Sequence, residues 1–244
     1  MNQDISRLLN EWPFEPGKLN VRLVQGTDGE PRLQVRLDLG VLQMKLEGRP
    51  DGERPHGYDS LLDYFEARRD ESEEGFSLPP EDCHALREEA VQYYHRYVAL
   101  LALDEFEGVI RDTTRNLRLL DFCRANAETE EDRSALDQFR PYITMMRARA
   151  MASQALKDNE PKAALHAIDE GLNALKQHFA DAGQPDLFDQ SSEVQMLRGM
   201  RDSLVPRLPV SQKAELRRRL AEAVTQENYE LAAILRDELR QLKE

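Results

Sequence analysis

The amino-acid sequence predicts an α+β protein that is mostly α-helical, with a small antiparallel β-meander at the N-terminal end. Three observations carry this prediction. Apolar and polar residues alternate early in the chain, apolar residues recur at helical spacing through most of the remainder, and two amphipathic segments follow a pair of prolines. They predict a meander at 1–57, a helical-hairpin body at 58–180, a linker with a short helix at 181–210 and a two-helix hairpin at 211–244.

The bulk composition bounds the class of protein. The chain has 244 residues, enough for one large domain or two small domains with buried cores. Its two cysteines, Cys83 and Cys123, are too few for a disulfide framework, so a reducing compartment is expected. No stretch approaches the ~20 apolar residues of a membrane span, and the N-terminus lacks the pattern of a secretory signal. We therefore expect a cytoplasmic protein with no membrane partner.

The charge balance opposes nucleic-acid binding. The formal net charge is −13, with 46 acidic against 33 basic residues, whereas phosphate contacts come mainly from Lys and Arg. The triplet Arg217–Arg219 is a local exception, but the solvated face of a helix is the favoured interpretation. Tyr93, Tyr94 and Tyr97 could stack on bases, but in an acidic neighbourhood we expect core and groove positions. We expect no direct binding of nucleic acid.

Strict alternation predicts three strands in the first region. The residues expected on the buried face are Leu19, Val21 and Leu23 in the first run, Leu33, Val35, Leu37 and Leu39 in the second, and Leu42, Met44 and Leu46 in the third. Asp28-Gly29 marks the first turn, and a second turn is expected near 38–40. So small a sheet needs a helix to pack on, and we expect either the helix at 5–9 or the one at 61–65.

Helical spacing begins at Asp59, which is expected to cap a helix that the run Ser77–Pro80 ends. A second helix is expected at 81–103. The stretches 104–117 and 159–172 resemble the junction and second helix of a tetratricopeptide repeat. They lie about 55 residues apart, whereas that repeat has a period of ~34 residues. The resemblance therefore implies stacked helical hairpins in general, with longer helices or an insertion, rather than a true tetratricopeptide array.

The third region is predicted to connect the body to the last hairpin. Residues 181–191 are expected to form a loop, and 193–204 a short amphipathic helix. Pro206 and Pro209 then separate the hairpin from the body, so we expect the hairpin to be placed independently.

The fourth region is predicted to form two helices, at 211–226 and 229–243. The apolar stripe expected on the first consists of Leu216, Leu220, Ala223 and Val224, and the coiled-coil seam expected on the second consists of Ala232, Leu235, Leu239 and Leu242. About thirty residues bury too little surface to be robust alone. A second hairpin from another chain is the natural cover for the rest of the stripe.

The run Tyr229–Leu239, YELAAILRDEL, resembles the UVR motif, a helical hairpin of the UvrB and UvrC excision-repair proteins that also occurs in some Clp ATPases and their adaptors. In that family the hairpin docks proteins onto one another and carries no chemistry. The partner-binding residues that this resemblance implies are Tyr229, Ala232, Ala233, Leu235, Arg236, Asp237, Leu239 and Leu242. The apolar members are expected to make the contact, while Arg236 and Asp237 tune the choice of partner through ion pairs.

No enzyme signature competes strongly with docking. The sequence has no P-loop. A structural zinc site needs about four ligands, and the sequence has no Cys-x-x-Cys pair that could supply two of them. Cys123 is expected to be a buried core residue. His56, in a loop beside Asp51 and Asp59, is the best candidate for catalysis, but a turn or surface role is favoured. We expect no catalytic residue, no cofactor and no metal.

These observations favour a non-enzymatic adaptor or scaffold that docks protein partners through the C-terminal hairpin and the helical body. Two alternatives stay open: an accessory protein of nucleotide excision repair recruited through a UvrB- or UvrC-type partner, and an adaptor of a Clp-type protease. The expected partner is a protein of one of these types or a second copy of the chain.

Overall fold

Helices dominate the protein, and a small three-stranded antiparallel sheet lies near the N-terminus, which confirms the predicted fold class. The computed structural model describes residues 4–73, 75–204, 212–225, 231 and 234–236. The chain divides into two compact units, one through Asp202 and one from Ser203 onward. Each unit is described by itself.

One short helix comes first in the chain, three strands follow it, and the remaining elements are helices. They are α1 (Ser6–Glu11), β1 (Asn20–Gln25), β2 (Pro31–Arg36), β3 (Val41–Lys45), α2 (Leu61–Glu71), α3 (Pro80–Ala102), α4 (Phe106–Asn126), α5 (Glu130–Ser134), α6 (Arg140–Lys157), α7 (Pro161–Asp181), α8 (Ser192–Leu204) and α9 (Gln212–Thr225). Short 3-10 helices lie at Pro55–Gly57, Asp137–Phe139 and Pro185–Gln190. No helix in the described ranges is both long enough and apolar enough to cross a membrane.

The sheet has the strand order β1-β2-β3, as the alternation predicts. Leu33 pairs across the sheet with Leu23 on one side and Met44 on the other. Leu33 and Met44 are buried, whereas Leu23 of β1 and Leu19, which precedes this strand, are each more than 40% exposed. The expectation that the first run buries its apolar face is therefore wrong for these two leucines. β3 is also an edge strand and buries Met44, so edge position alone does not explain the difference.

The second predicted run is too long. β2 ends at Arg36, and the backbone N–H of Leu37 donates to Gly40 O at 2.9 Å, which closes the turn into β3. The prediction that Leu37 and Leu39 are buried is wrong, since Leu39 is 85% exposed at the tip of this turn. The expected supporting helix is also different. β2 packs on α3, rather than finding its main support on the helix near 5–9 or the helix near 61–65.

The N-cap of α2 is Ser60 and not Asp59. The Ser60 hydroxyl accepts the Asp63 backbone N–H at 3.1 Å, as an N-cap side chain does, and donates to the Asp63 carboxylate at 2.6 Å. Asp59 is exposed and forms an ion pair with Arg54 at 2.9 Å. The cap therefore fell one residue later than the sequence pattern indicated.

The body is a stack of helical hairpins. α3 packs on α4, α4 also packs on α6, and α6 packs on α7. The turns inside the two hairpins contain Asp104 and Asn159, whose φ angles of +57° and +62° are left-handed, a conformation that Asp and Asn tolerate better than most residues. Both turns fall in the stretches that resemble a tetratricopeptide repeat. That family resemblance itself stays a prediction.

Most of the expected linker belongs to the first unit. Residues 185–190 pack on α7, and Val194 and Leu197 of α8 are fully buried. Leu197 reaches α7 beside Gly171. The break between units falls after Asp202, near the predicted pair of prolines.

Replacing Gly171 with valine is expected to destabilise the first unit by about 1–3 kcal/mol, measured by urea unfolding. A Cβ at this position would lie 2.5 Å from Ala148 Cβ and 3.1 Å from Leu197 Cδ1, so α6 and α7 would have to separate. Gly199→Val on α8 is the matched control, because a Cβ there meets nothing within 4 Å. Equal changes in the two variants would show that backbone propensity, and not close helix packing, explains the glycine.

Candidate functional site

The second unit contains the start of the C-terminal hairpin. α9 contributes Ala223, which is buried against Leu235 of the second helix, and Leu220 and Leu231 partly cover this pair. Leu235 is therefore a core residue of the hairpin itself. Its burial stabilises the pairing of the two helices and leaves its side chain with little surface for a partner.

Among the described residues of the second unit, two large aliphatic side chains lie on the outside. Val224 is 51% exposed and Ile234 is 58% exposed. The prediction that Val224 lies on the inner stripe with Ala223 is wrong, because consecutive helical residues differ in direction by about 100°. Ile234 was missed as a candidate. Its only sequence signal is that it is an aliphatic residue one position off the seam that contains Leu235.

The structure describes part of the expected partner-binding set. Leu235 is buried and Arg236 is exposed. The remaining members, Tyr229, Ala232, Ala233, Asp237, Leu239 and Leu242, lie outside the described residues. Arg218 and Arg219 of the basic triplet are exposed, and Arg218 forms an ion pair with Glu222 at 2.8 Å. This arrangement supports the solvated-face interpretation for these two residues.

His56 occupies a strained, exposed position in the first unit. Its φ is +52°, and its ring stacks on Tyr64 with 4.0 Å between the ring centroids. Its neighbour Asp59 is engaged by Arg54. The ring of His56 thus contacts α2 through Tyr64. The expectation that His56 is not catalytic stays a prediction.

The two cysteines lie in the apolar core between α3 and α4. Burial raises the pKa of Cys83 to about 11 and that of Cys123 to about 12. Both thiols are therefore protonated at neutral pH, and a protonated thiol is a poor nucleophile and metal ligand. Within the described ranges, no group of three or more His, Cys, Asp and Glu side chains is arranged to hold a metal ion.

A buried ionic network joins the sheet to the helical body. Arg96 of α3 donates from Nε and Nη2 to the two oxygens of Asp112 on α4, at 2.7 and 2.8 Å. Its Nη1 donates to the backbone oxygens of Lys45 at 3.0 Å and Gly48 at 2.8 Å. Arg96 and Asp112 are both buried. The pair therefore holds the end of β3 against the helices.

A second buried pair lies beside the first. Glu89 of α3 accepts a hydrogen bond from Arg115 of α4 and also accepts the backbone N–H groups of Leu61 at 2.7 Å and Leu62 at 3.3 Å. The carboxylate thus sits at the N-terminus of α2, where the helix dipole favours a negative charge. Burial lowers the pKa of Arg115 to about 9, which leaves the guanidinium charged at pH 7. This network explains how four separate elements are held together.

The comparisons with known proteins bear on the hairpin. Residues 211–244 match the UVR family, described as the UvrB/uvrC motif. Searches of curated proteins and of solved structures returned no match. The family resemblance of the C-terminal hairpin is therefore confirmed, and it identifies this segment as a UVR motif, an interaction module of UvrB- and UvrC-type proteins.

Proposed function

We propose that this chain is a non-enzymatic adaptor that docks onto a protein partner through its C-terminal hairpin. The observation that carries the proposal is the UVR match over 211–244. The body and the hairpin fall in separate compact units, an organisation that suits a scaffold with a distinct docking module.

The exposed side chains indicate how the hairpin meets its partner. Leu235 and Ala223 are covered inside the hairpin, whereas Val224 and Ile234 stay exposed. Complete burial of an exposed Val or Ile side chain contributes about 1.5–3 kcal/mol. These two side chains are already about half buried, so covering the remainder contributes roughly half of that amount. The contact therefore involves Val224 and Ile234. Leu235, which the family resemblance also placed in the contact, supports the hairpin from inside.

The partner is a protein of UvrB, UvrC or Clp type, or another UVR-containing chain. The net charge of −13 opposes direct binding to DNA, so any association with DNA depends on that partner. Recruitment to excision repair and delivery to a Clp-type protease are the two pathways that fit this role. Identification of the partner decides between them.

Replacing Ile234 with glutamate is expected to weaken partner binding by at least about tenfold, because the variant loses the remaining apolar burial of a side chain that is 58% exposed and places a charged carboxylate in the contact. Full-length protein is used as bait in native lysate, the bound proteins are identified by mass spectrometry, and the dissociation constant for the purified partner is then measured. Met196→Glu is the matched control, since Met196 is 48% exposed on α8 of the first unit.

If Ile234→Glu and a chain ending at Pro209 retain the same partners as the parent protein, the hairpin is not the docking module. Salt-sensitive DNA binding by the purified protein alone would contradict the argument from charge.

A further inference from the structure

The outer edge of β1 presents backbone groups that no other described strand uses. In the part of the chain that the structure describes, β1 pairs with β2 alone. Beside this pair, the Gly26 N–H donates to Glu30 O at 2.8 Å, which fixes the hydrogen-bonded positions of the ladder. Because such positions alternate along an antiparallel pair, the N–H and C=O groups of Val21 and Leu23 point away from β2.

The opposite edge of the sheet is closed by the chain itself at Lys45 of β3. The N–H of Lys45 donates to Pro50 O at 2.8 Å, and its carbonyl oxygen accepts Arg96 Nη1 at 3.0 Å. Among the described residues, no such hydrogen bond reaches the outward groups of Val21 and Leu23. A row of unpaired backbone donors and acceptors is a template for another strand, so the chemistry of this edge selects an extended chain as its occupant.

The side chains along this edge are apolar on one face. Leu19, Val21 and Leu23 share that face by alternation, and Leu19 and Leu23 are 47% and 44% exposed. Edge strands are commonly protected by a proline, a bulge or an inward-pointing charge. The run 19–23 contains no proline, its register with β2 is unbroken from residue 20, and its apolar face carries no charge. Unpaired backbone and exposed apolar side chains therefore lie along the same strand.

This strand is complementary to a second copy of itself. An antiparallel pair of two such strands, with its two-fold axis at Val21, places Val21 opposite its copy and Leu19 opposite Leu23 on the apolar face. On the other face, Arg22 lies opposite Asn20, so no like charges meet. Directly opposed apolar side chains stabilise a strand pair, whereas opposed like charges destabilise it.

The two neighbouring registers fit less well. An axis at Arg22 would place the two arginines of the pair directly opposite each other, which is destabilising. An axis at Leu23 would place the apolar Val21 opposite the polar Gln25. The sequence of β1 thus favours the register centred on Val21.

We infer that two copies of this chain associate through the free edges of β1, in an antiparallel pair centred on Val21, and so form a continuous six-stranded sheet. A two-fold contact satisfies the same edge in both copies at once, and it covers the exposed side chains of Leu19 and Leu23. The paired run is much shorter than the about 20–30 residues a side of a standard interface, so the expected dimer is weak and depends on concentration. This contact is separate from the UVR motif and stands whether or not the hairpin docks a partner.

Analytical ultracentrifugation of the full-length protein, from about 1 μM to about 1 mM, measures the association. We expect a reversible equilibrium between monomer and dimer. Leu23→Pro should weaken the dimer at least about tenfold, because it removes an outward N–H and leaves the hydrogen bonds to β2 in place. Leu23→Lys should also weaken it, since a charge would then oppose Leu19. Leu39→Lys is the matched control, because Leu39 is 85% exposed in the β2–β3 turn, and circular dichroism verifies that each variant is folded.

Cross-linking of cysteine variants reads the register directly. In Val21→Cys the two Cβ atoms would lie about 5 Å apart, so a thiol-specific reagent with a short spacer should join the chains. In Leu23→Cys the two positions would be about 14 Å apart along the strands, and cross-linking should be far weaker. The native thiols of Cys83 and Cys123 are buried and protonated at neutral pH, so the parent protein should not react.

Several outcomes would overturn the inference. They are a monomer at every concentration, a dimer that Leu23→Pro and Leu23→Lys leave unchanged, and equal cross-linking at positions 21 and 23. The dimer should persist in Ile234→Glu, and its loss there would assign self-association to the hairpin instead of β1. A failure of hairpin docking and a failure of the edge contact are therefore distinguishable.

Discussion

Replacing Arg96 with methionine is expected to destabilise the first unit by about 3–5 kcal/mol. Arg96 is 1% exposed and forms a two-point contact with Asp112, which is itself fully buried. The substitution removes the strongest partner of this carboxylate and also leaves the backbone oxygens of Lys45 and Gly48 without their guanidinium donor. Arg111 Nε still lies 3.0 Å from Asp112, but its side chain is partly exposed and compensates less.

Urea unfolding followed by circular dichroism measures this loss. The double variant Arg96→Met with Asp112→Leu is the informative control, because replacing both members of a buried pair with apolar side chains is often close to neutral. We expect it to recover much of the stability that the single variant loses. A loss below about 1 kcal/mol in Arg96→Met would mean that water or a neighbouring cation satisfies Asp112, and that the pair does not hold the sheet in place.

Replacing Glu89 with glutamine is expected to cost a similar amount, about 3–5 kcal/mol. Glu89 is buried and forms ion pairs with Arg115 and with Arg49, whose Nε lies 3.5 Å away. It also accepts a backbone N–H at the N-terminus of α2. Glutamine keeps the shape of the side chain but removes its charge, so the buried Arg115 guanidinium loses its carboxylate. Leu61 also loses a charge-assisted hydrogen bond at the start of α2.

The neighbouring residue provides the control for this second substitution. Glu88→Gln removes a carboxylate that is 72% exposed and lies 3.5 Å from His84. Exposed pairs of this kind contribute about 0–1 kcal/mol, so the two variants should differ several-fold in their effect on the free energy of unfolding. Equal effects would show that Glu89 is not the centre of the network. In Glu89→Gln, faster hydrogen exchange of the backbone amides at the start of α2 would show that the loss of stability arises there.

The local sequence pattern was sufficient to predict a strand, a helix or a motif that depends only on its own residues. Alternation predicted the three strands and their order, because side chains of a strand point to opposite faces with a period of two. Helical spacing predicted α3 at nearly its observed bounds, 80–102. The run Tyr229–Leu239 indicated the UVR motif, and the family match over 211–244 includes it.

Local pattern failed where neighbours decide exposure. Leu39 continues the alternation of β2, yet the chain turns before it and leaves it exposed. Val224 belongs to an apolar stripe by composition, but the approach of the second helix covers Ala223 and leaves Val224 open. In both cases the exposed residue is apolar like the buried residues of the same pattern, and only the course of the backbone decides which of them is covered.

The sequence by itself determined the class of fold, the hairpin family and an acidic charge that opposes nucleic acid. Tertiary structure decided that Arg96 and Asp112, sixteen residues apart, and Glu89 and Arg115, twenty-six apart, meet in the interior. It also gathered Val91 and Phe139 around one groove. A charged side chain on a helix has the same local pattern whether it faces water or a partner, because its environment is set by helices that pack from distant parts of the chain.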